Sequence, residues 1–262
     1  GAGHNNTVTQ EQFQEIARQY SDIRMDRDAV HVDTRGMDDK AADKFKQGTM
    51  NDIASLMQTD SGRALLNDLQ TGKNKDGSQR QTYIGGISDD DFKNNGGKGG
   101  GRYGGAKGTV DDDADHKEGF VKYRPGEVAL PGNADARSDV ALMHELTHAD
   151  ASVHDKFATG AVGTADGATQ ADIDGGVSRS EYQAAGMGTF ATDPFNENAY
   201  RRDRAAIGAS GSGMRDDEGK SDVGMPTRTT YLYPKGPSGH GGGSLGVGGD
   251  HEDAPLPGYE EG

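Results

Sequence analysis

The sequence contains no cysteine, and only 6% of its 262 residues are aromatic. The lack of cysteine excludes disulfides, metal sites built on thiolates and cysteine nucleophiles. It leaves the cellular compartment open, because a cysteine-free chain suits oxidising and reducing surroundings equally. No stretch approaches the ~18 consecutive apolar residues that a membrane-spanning helix needs. We therefore predict a soluble protein without a membrane span.

Hydrophobic residues are also scarce, at 31%, whereas glycine is abundant, with 42 residues. This composition favours one core of about 150 to 180 residues with long polar segments. The first eight residues, which begin GAGH, are typical of a disordered or expression-derived N-terminus. We expect one domain at 9–234, with a mobile Gly/Asp-rich insert at about 89–115, and a disordered Gly/Pro/acidic tail at 235–262.

Basic residues are outnumbered, since 28 Lys and Arg face 43 Asp and Glu, and the net charge is −15. Binding to phosphates needs a basic surface, so this balance argues against nucleic acid as the main partner. Two motifs in the insert also lack the pattern of a known site. GGKGGGRYGG does not have the GxxxxGK[ST] order of a phosphate-binding loop, and DDDAD does not have the spacing of an EF-hand.

Hydrophobic periodicity and turn residues divide the domain into helices and strands. The predicted helices are 9–20, 41–70 with a break near TDSGR, 139–155, a short one within SRSEYQAAGMG, and one from Asn196 to Gly208. The predicted strands are 28–34, 79–87, 119–126 and 228–234. The expected N-caps are Thr59, Asp60 or Ser61 after the break, and Ser138 or Asp139 for the helix at 139–155. Residues 157–175 are predicted to form a loop.

The helix predicted at 139–155 contains HELTH, which places His144, Glu145 and His148 in an HExxH pattern. Histidines four residues apart lie on one helix face, about 6 Å apart along the axis, and can share one ion. Zinc accepts imidazole nitrogen, and a catalytic zinc has three protein ligands and an open position for water. The glutamate can take the proton of that water as it attacks a carbonyl, and return it to the leaving amine. We predict zinc ligands at His144 and His148, with Glu145 as the general base.

The third zinc ligand must come from outside HELTH. His154 follows His148 at the spacing of metzincins, but Ala151 stands where that pattern has a glycine that turns the chain back to the metal. The other design takes a glutamate from a later helix. Glu181 and Glu197 are the downstream glutamates that lie outside the polar and tail segments. Three candidates stay open, in the order Glu181, Glu197, His154.

Several motifs occur in an order that resembles the NleD-like effector zinc metallopeptidases, a family with type III effectors and toxin domains of Rhs and VgrG proteins. They are TDSGRALLNDL, FVKYRPG, HELTHA, SEYQAAG, NENAYRRDRAAIG and PTRTTY, and they span about 41–233. The resemblance implies that His144, His148 and Glu181 bind zinc and that Glu145 is the base.

The resemblance also implies roles for two groups outside the zinc ligands. Glu197, Asn198 and Arg201 would hold the ligands in place. Arg228 and Tyr231 fall in the closing motif, where a tyrosine or an arginine can stabilise an oxyanion.

These observations predict a zinc-dependent endopeptidase that acts as a secreted bacterial effector or toxin domain on a protein substrate in a target cell. An antibacterial toxin would imply an immunity protein or a chaperone as a further partner. The alternative is a non-catalytic interaction module with a structural zinc, closed by His144, His148, Glu181 and His154. We expect an α+β fold of zincin-like form, in which the HExxH helix packs with other helices against a small mixed sheet, with long glycine-rich loops.

Overall fold

A computed structural model of the chain describes residues 8–20, 29–88, 101–108, 117–126, 137–211, 222 and 225–232, with the backbone alone for 101–108 and 117. Its helices are α1 (Gln10–Gln19), α2 (Asp39–Met57), α3 (Asp60–Leu69), α4 (Ser138–Val153), α5 (Gln170–Asp174), α6 (Arg179–Ala185) and α7 (Glu197–Ala209). Its strands are β1 (Val30–Asp33), β2 (Gln81–Gly86), β3 (Gly101–Gly108) and β4 (Lys117–Tyr123). Short 3-10 helices cover Thr164–Asp166 and Gly188–Phe190.

The four described strands form one sheet in the order β1-β2-β4-β3. β1, β2 and β4 run parallel, and β3 is antiparallel to β4 at the edge. The register pairs Val30 with Thr82 and Ile84 with Val121, and these four side chains are buried under the helices. The chain is therefore an α+β protein with a small mixed sheet, as the sequence predicted.

The helix that carries HELTH, α4, is central to the fold. It lies against β3 and β4 and also contacts α2, α3, α6 and α7. All of its residues are buried, so it lacks the solvent-facing polar stripe of a surface helix. Its apolar side chains, among them Leu142, Met143 and Leu146, join the main hydrophobic core. The HELTH residues consequently lie in the interior of the described structure.

Side-chain caps fix where two of the surrounding helices begin. Thr59 caps α3, as predicted, because its side chain accepts a hydrogen bond from the Gly62 backbone. A side chain is excluded at Gly62, since a Cβ there would lie 2.1 Å from the Leu56 carbonyl oxygen. Asn196 caps α7 by accepting a hydrogen bond of 2.8 Å from Ala199 N. Local interactions thus define the break between α2 and α3 and the start of α7.

The predicted N-cap of α4 is wrong. Arg137 is the N-cap residue, and Ser138 and Asp139 are already helical. Both side chains are used elsewhere: Ser138 Oγ donates to Asp52 Oδ1 at 3.1 Å, and Asp139 accepts two hydrogen bonds from the Arg137 guanidinium. The start of α4 is therefore held by these side-chain contacts and not by a hydrogen bond from an N-cap side chain.

The predicted strand at 228–234 is wrong for 228–232, which the structure describes as an irregular segment. Its backbone groups bond to side chains of other elements, as described below, and not to a neighbouring strand. The predicted loop at 157–175 is also wrong in part, because it contains α5 and the 3-10 helix Thr164–Asp166. The side chain of Thr169 caps α5 by accepting from Asp172 N.

The predicted loop at 89–115 is wrong for Gly101–Gly108, which forms β3. The edge of β4 supplies backbone partners for this glycine-rich segment, whose side chains give little strand signal. The rest of that insert, residues 1–7 and the predicted tail at 235–262 lie outside the described residues. None of the described helices is long and apolar enough to cross a membrane.

Candidate metal centre

Three helices bring the predicted site residues together. α4 carries His144, Glu145 and His148, α6 carries Glu181, and α7 carries Glu197 at its first position. All five side chains are buried, and those of His144 and Glu145 are fully so. The site therefore depends on how α6 and α7 pack against α4.

His144, His148 and Glu181 form a group that could hold a metal ion. Glu181 Oε2 lies 2.9 Å from His144 Nε2 and 3.5 Å from His148 Nε2, and the two Nε2 atoms are 3.1 Å apart. Around a tetrahedral zinc with bonds of about 2.0–2.1 Å, neighbouring ligand atoms are about 3.3 Å apart. The three separations fall on either side of that value, so the donor set fits one zinc ion.

The other ring nitrogen of His144 fixes how the imidazole faces this group. His144 Nδ1 lies 2.7 Å from Glu197 Oε2, and an ionised carboxylate can only accept a hydrogen bond. The proton of a neutral imidazole is then on Nδ1, and the Nε2 lone pair points toward His148 and Glu181. A carboxylate behind a ligating histidine is a common feature of zinc sites.

Two arginines keep Glu197 ionised. Burial favours the protonated acid, but the charges of Arg228 and Arg201 and the hydrogen bond from His144 lower the pKa of Glu197 well below its ordinary range. Arg201 Nε donates to Glu197 Oε1 at 2.9 Å, and Arg228 NH1 donates to Glu197 Oε2 at 3.3 Å. Glu197 therefore stays ionised: it binds His144 on one side, and its remaining hydrogen bonds are with the two arginines.

Charge is also arranged within the metal group itself. Burial opposes ionisation of Glu181, but His148 and His144 lower its pKa to about 2. Burial lowers the pKa of His148. Burial acts the same way on His144, but the hydrogen bonds with Glu181 and Glu197 raise its pKa to about 10. The anionic carboxylates thus favour positive charge at this point, which a bound cation or a proton on His144 can supply.

Tyr231 lies next to Glu181, and its hydroxyl is hydrogen-bonded to that carboxylate. The pKa of Tyr231 is raised well above its ordinary value by burial first, then by the charge of Glu181 and, less strongly, by that of Glu145. The phenol is therefore protonated at neutral pH. It is a hydrogen-bond donor held beside the metal group and within electrostatic reach of Glu145.

Asn198 joins the segment that carries Tyr231 to α7. Its side chain accepts from Arg228 N at 2.7 Å and donates to Arg228 O at 2.9 Å. The Arg228 guanidinium lies 4.3 Å from the centre of the Tyr231 ring and donates to Tyr231 O at 3.1 Å. The residues of the NENAYRRDR and PTRTTY motifs thus contact one another directly.

Asp172 is a part of this arrangement that the sequence analysis missed. Its carboxylate accepts from Tyr231 N and Leu232 N, each at 2.8 Å, from Thr230 Oγ1 at 3.0 Å and from Tyr182 OH at 2.6 Å. It thereby fixes the backbone on both sides of the Tyr231 side chain. The spacing of Thr169 and Asp172 matches a helix-start pattern, which is the one local signal that pointed to an element here.

His154, the third candidate ligand, does not join the metal group. It is the C-cap of α4, which remains helical through Ala151 as the missing glycine suggested. Its Nε2 lies 2.8 Å from Thr71 Oγ1, and its Nδ1 faces Asp150 and Asp68. The structure therefore separates it from His144, so a four-ligand site that includes it is not supported.

The model of the M91 peptidase family, described as effector proteins, matches residues 33–231. The match covers most of the chain and includes all residues of the metal group. No curated protein and no solved structure matches the chain significantly. The family match confirms the resemblance to NleD-like peptidases that the order of motifs predicted. The chain belongs to the M91 peptidase family of effector proteins.

Proposed function

We propose that this protein is a zinc-dependent endopeptidase that acts as a secreted bacterial effector or toxin domain. The observation that carries the proposal is the group of His144, His148 and Glu181, whose ligand atoms lie within 4.8 Å of one another beside Glu145. Membership of a peptidase family supports hydrolysis of a peptide bond over other reactions that HExxH permits.

His144, His148 and Glu181 would hold the zinc. Bound there, zinc would polarise the substrate carbonyl and lower the pKa of a water molecule. Glu197 orients His144 through Nδ1, which keeps the Nε2 lone pair directed at the metal. Three protein ligands leave a coordination position for the reaction, which suits catalysis better than a structural role.

Glu145 would act as the general base. It is fully buried on α4, directly after the proposed ligand His144. Its charge contributes to the raised pKa of Tyr231, so the two side chains interact electrostatically. Its carboxylate takes a proton from the attacking water and returns it to the amine as the peptide bond breaks. The protonated phenol of Tyr231 would donate a hydrogen bond to the oxyanion that develops on the carbonyl.

The substrate would be a protein in a target cell, reached by secretion or direct delivery. The description of the family as effector proteins supports this destination. If the target is a rival bacterium, the producing cell also needs an immunity protein or a chaperone. The acidic balance of the chain, with a net charge of −15, argues against a nucleic-acid substrate.

Metal content and cleavage together test this proposal. We expect about one zinc per chain at this group in the wild type, and its loss in His148→Ala and Glu181→Ala. Glu145→Gln should keep the zinc but lose nearly all cleavage of a denatured protein substrate. Glu15→Gln changes an exposed glutamate of α1 in the same way and should keep both. Folded protein that binds no zinc, or a Glu145→Gln variant with wild-type cleavage, would contradict the proposal.

A further inference from the structure

A second group of possible metal ligands lies at the C-terminal end of α4. It consists of Asp68 on α3, Asp150 on α4 and His154, and one ligand atom from each lies within 4.8 Å of the others. His154 Nδ1 is 3.4 Å from Asp150 Oδ1 and 3.6 Å from Asp68 Oδ2. Asp150 follows His148 by two residues, about 200° around the helix, so the two groups lie on different sides of α4.

The protons around His154 can be assigned from its partners. The hydroxyl of Thr71 donates its one proton to the Asp68 carbonyl oxygen at 2.7 Å. While Thr71 donates to that carbonyl, the contact of 2.8 Å between Thr71 Oγ1 and His154 Nε2 requires a proton on Nε2. His154 Nδ1 lies 2.9 Å from the Asp150 carbonyl oxygen and also faces the carboxylates of Asp150 and Asp68, and all of these oxygens can only accept hydrogen bonds. Either a second proton on the imidazole or a cation must therefore lie between Nδ1 and these oxygens.

Asp150 shows the same need from the other side. Its exposed fraction is 5%, and its Oδ1 is buried and receives no hydrogen bond within the described part of the chain. A buried carboxylate oxygen without a partner is costly. It lies near the C-terminus of α4, where the helix dipole adds negative potential and where the last turn contains no basic residue.

Arg80, which contacts the chain at the end of α4, is bonded to other residues. Arg80 NH1 donates to Val153 O at 2.8 Å and to Asp155 Oδ2 at 2.9 Å, and Arg80 Nε donates to Asn74 Oδ1. These contacts hold the chain just after α4. Within the described part of the chain, the ion pairs of Asp68 and Asp150 are with His154, so His154 or a bound ion has to neutralise the two carboxylates.

We propose that Asp68, Asp150 and His154 bind a second divalent cation. One imidazole nitrogen and two carboxylate oxygens suit zinc or manganese better than calcium, which prefers six to eight oxygens. The cation would take the place of the second imidazole proton, bind Nδ1 of His154 and the carboxylates of Asp150 and Asp68, and so join α3 to the end of α4. Its role is structural, because it would fix the helix that carries HELTH without contacting a substrate.

The test uses the full chain with the HELTH group disabled by His148→Ala and Glu181→Ala, so that it does not depend on the proposed peptidase activity. Zinc alone, and manganese alone, are titrated against this variant and retained metal is measured after dialysis. We expect one ion per chain. Adding Asp68→Asn and His154→Gln should weaken binding by at least ~10-fold, and the wild type should bind one ion more than the variant.

Asp155→Asn is the matched control. It removes a neighbouring carboxylate that pairs with Arg80 and is not one of the three proposed ligands, and Asn tolerates the left-handed backbone found there. It should leave retained metal unchanged. A folded HELTH-disabled variant that binds neither ion would overturn the proposal. So would an NMR spectrum at neutral pH, with metal present, in which both His154 nitrogens carry protons.

Discussion

At the scale of single residues, Glu197 connects His144 of the metal group to the buried side chains of Arg201 and Arg228. Glu197→Gln removes the charge that pairs with Arg201 and Arg228 while nearly conserving the shape of the side chain. We expect zinc affinity to fall by ~10–100-fold and the free energy of unfolding to fall by about 3–5 kcal/mol, because two arginines lose their partner. Chelator competition and urea unfolding measure the two effects. Glu118→Gln on β4 is the control, and unchanged zinc affinity in a folded Glu197→Gln protein would contradict the assignment.

Tyr231 offers a second test at this scale, because only its hydroxyl is proposed to act. Tyr231→Phe should keep the fold and the zinc and lower kcat by ~10²–10³-fold with little change in KM, as expected for a group that binds the transition state. Steady-state kinetics on a peptide substrate measure this. Tyr83→Phe removes a hydroxyl from a half-buried ring on the sheet and should have no effect on kcat.

At the scale of elements, Asp172 determines where the 230–232 segment lies. Asp172→Asn keeps one accepting oxygen but replaces the other with an amide nitrogen that can only donate, so one of the two backbone N–H groups loses its acceptor. The segment should loosen, so kcat should fall while bound zinc stays near one per chain. Hydrogen exchange at Tyr231 and Leu232 should speed up in the variant. If kcat falls without faster exchange there, Asp172 does not act through this segment.

The ion pair of Asp139 with Arg137 at the start of α4 should make the stability of the protein depend on pH at acid pH. Burial alone would raise the pKa of Asp139, but the charge and hydrogen bonds of Arg137 lower it to about 2 from its ordinary value of 3.8. A lowered pKa in the folded state contributes stability that is present above pH ~4 and is lost as the pH falls toward ~2. The contribution is about 2 kcal/mol. Thermal unfolding of wild type and Asp139→Asn across this range should show the difference shrinking at low pH.

At the scale of the whole molecule, α1 lies outside the family match, which begins at residue 33. No residue of α1 is buried, and a cavity of about 180 Å³ lies between it and α2, lined in part by Phe13 and Ile53. A chain without residues 1–20 should therefore fold, bind zinc and lose only about 3–6 °C in Tm. Calorimetry and metal analysis check this. Loss of zinc would show that α1 supports the site.

Much of this architecture could be predicted from local signals. Thr59 caps α3 as expected, the helix predicted to start at Asn196 begins there, and the spacing of apolar residues predicted α2, α3 and α4. HELTH identified a candidate site helix, and elimination among the later glutamates favoured Glu181, which the structure brings to both histidines. The roles of these residues in binding zinc and in catalysis stay predictions.

The missed features depend on contacts between distant residues. β3 has the composition of a glycine-rich loop and becomes a strand because β4 pairs with it. RTTYLYP has the β-branched and aromatic residues of a strand, yet the carboxylate of Asp172 takes its backbone N–H groups. The cap of α4 was misassigned because the two candidate side chains bond to distant residues, Asp139 to Tyr200 on α7 and Ser138 to Asp52 on α2. No local pattern carries that information.

The burial of α4 on every side has a consequence for how the sequence can change. A surface helix tolerates substitution at positions that repeat every three to four residues along its solvent-exposed face. α4 has no such face, because all of its residues from Ser138 to Val153 are buried. A saturation scan of this helix should therefore find nearly every position intolerant of substitution, without the repeat of three to four residues that a surface helix gives. Related sequences should accordingly differ little at any position of α4.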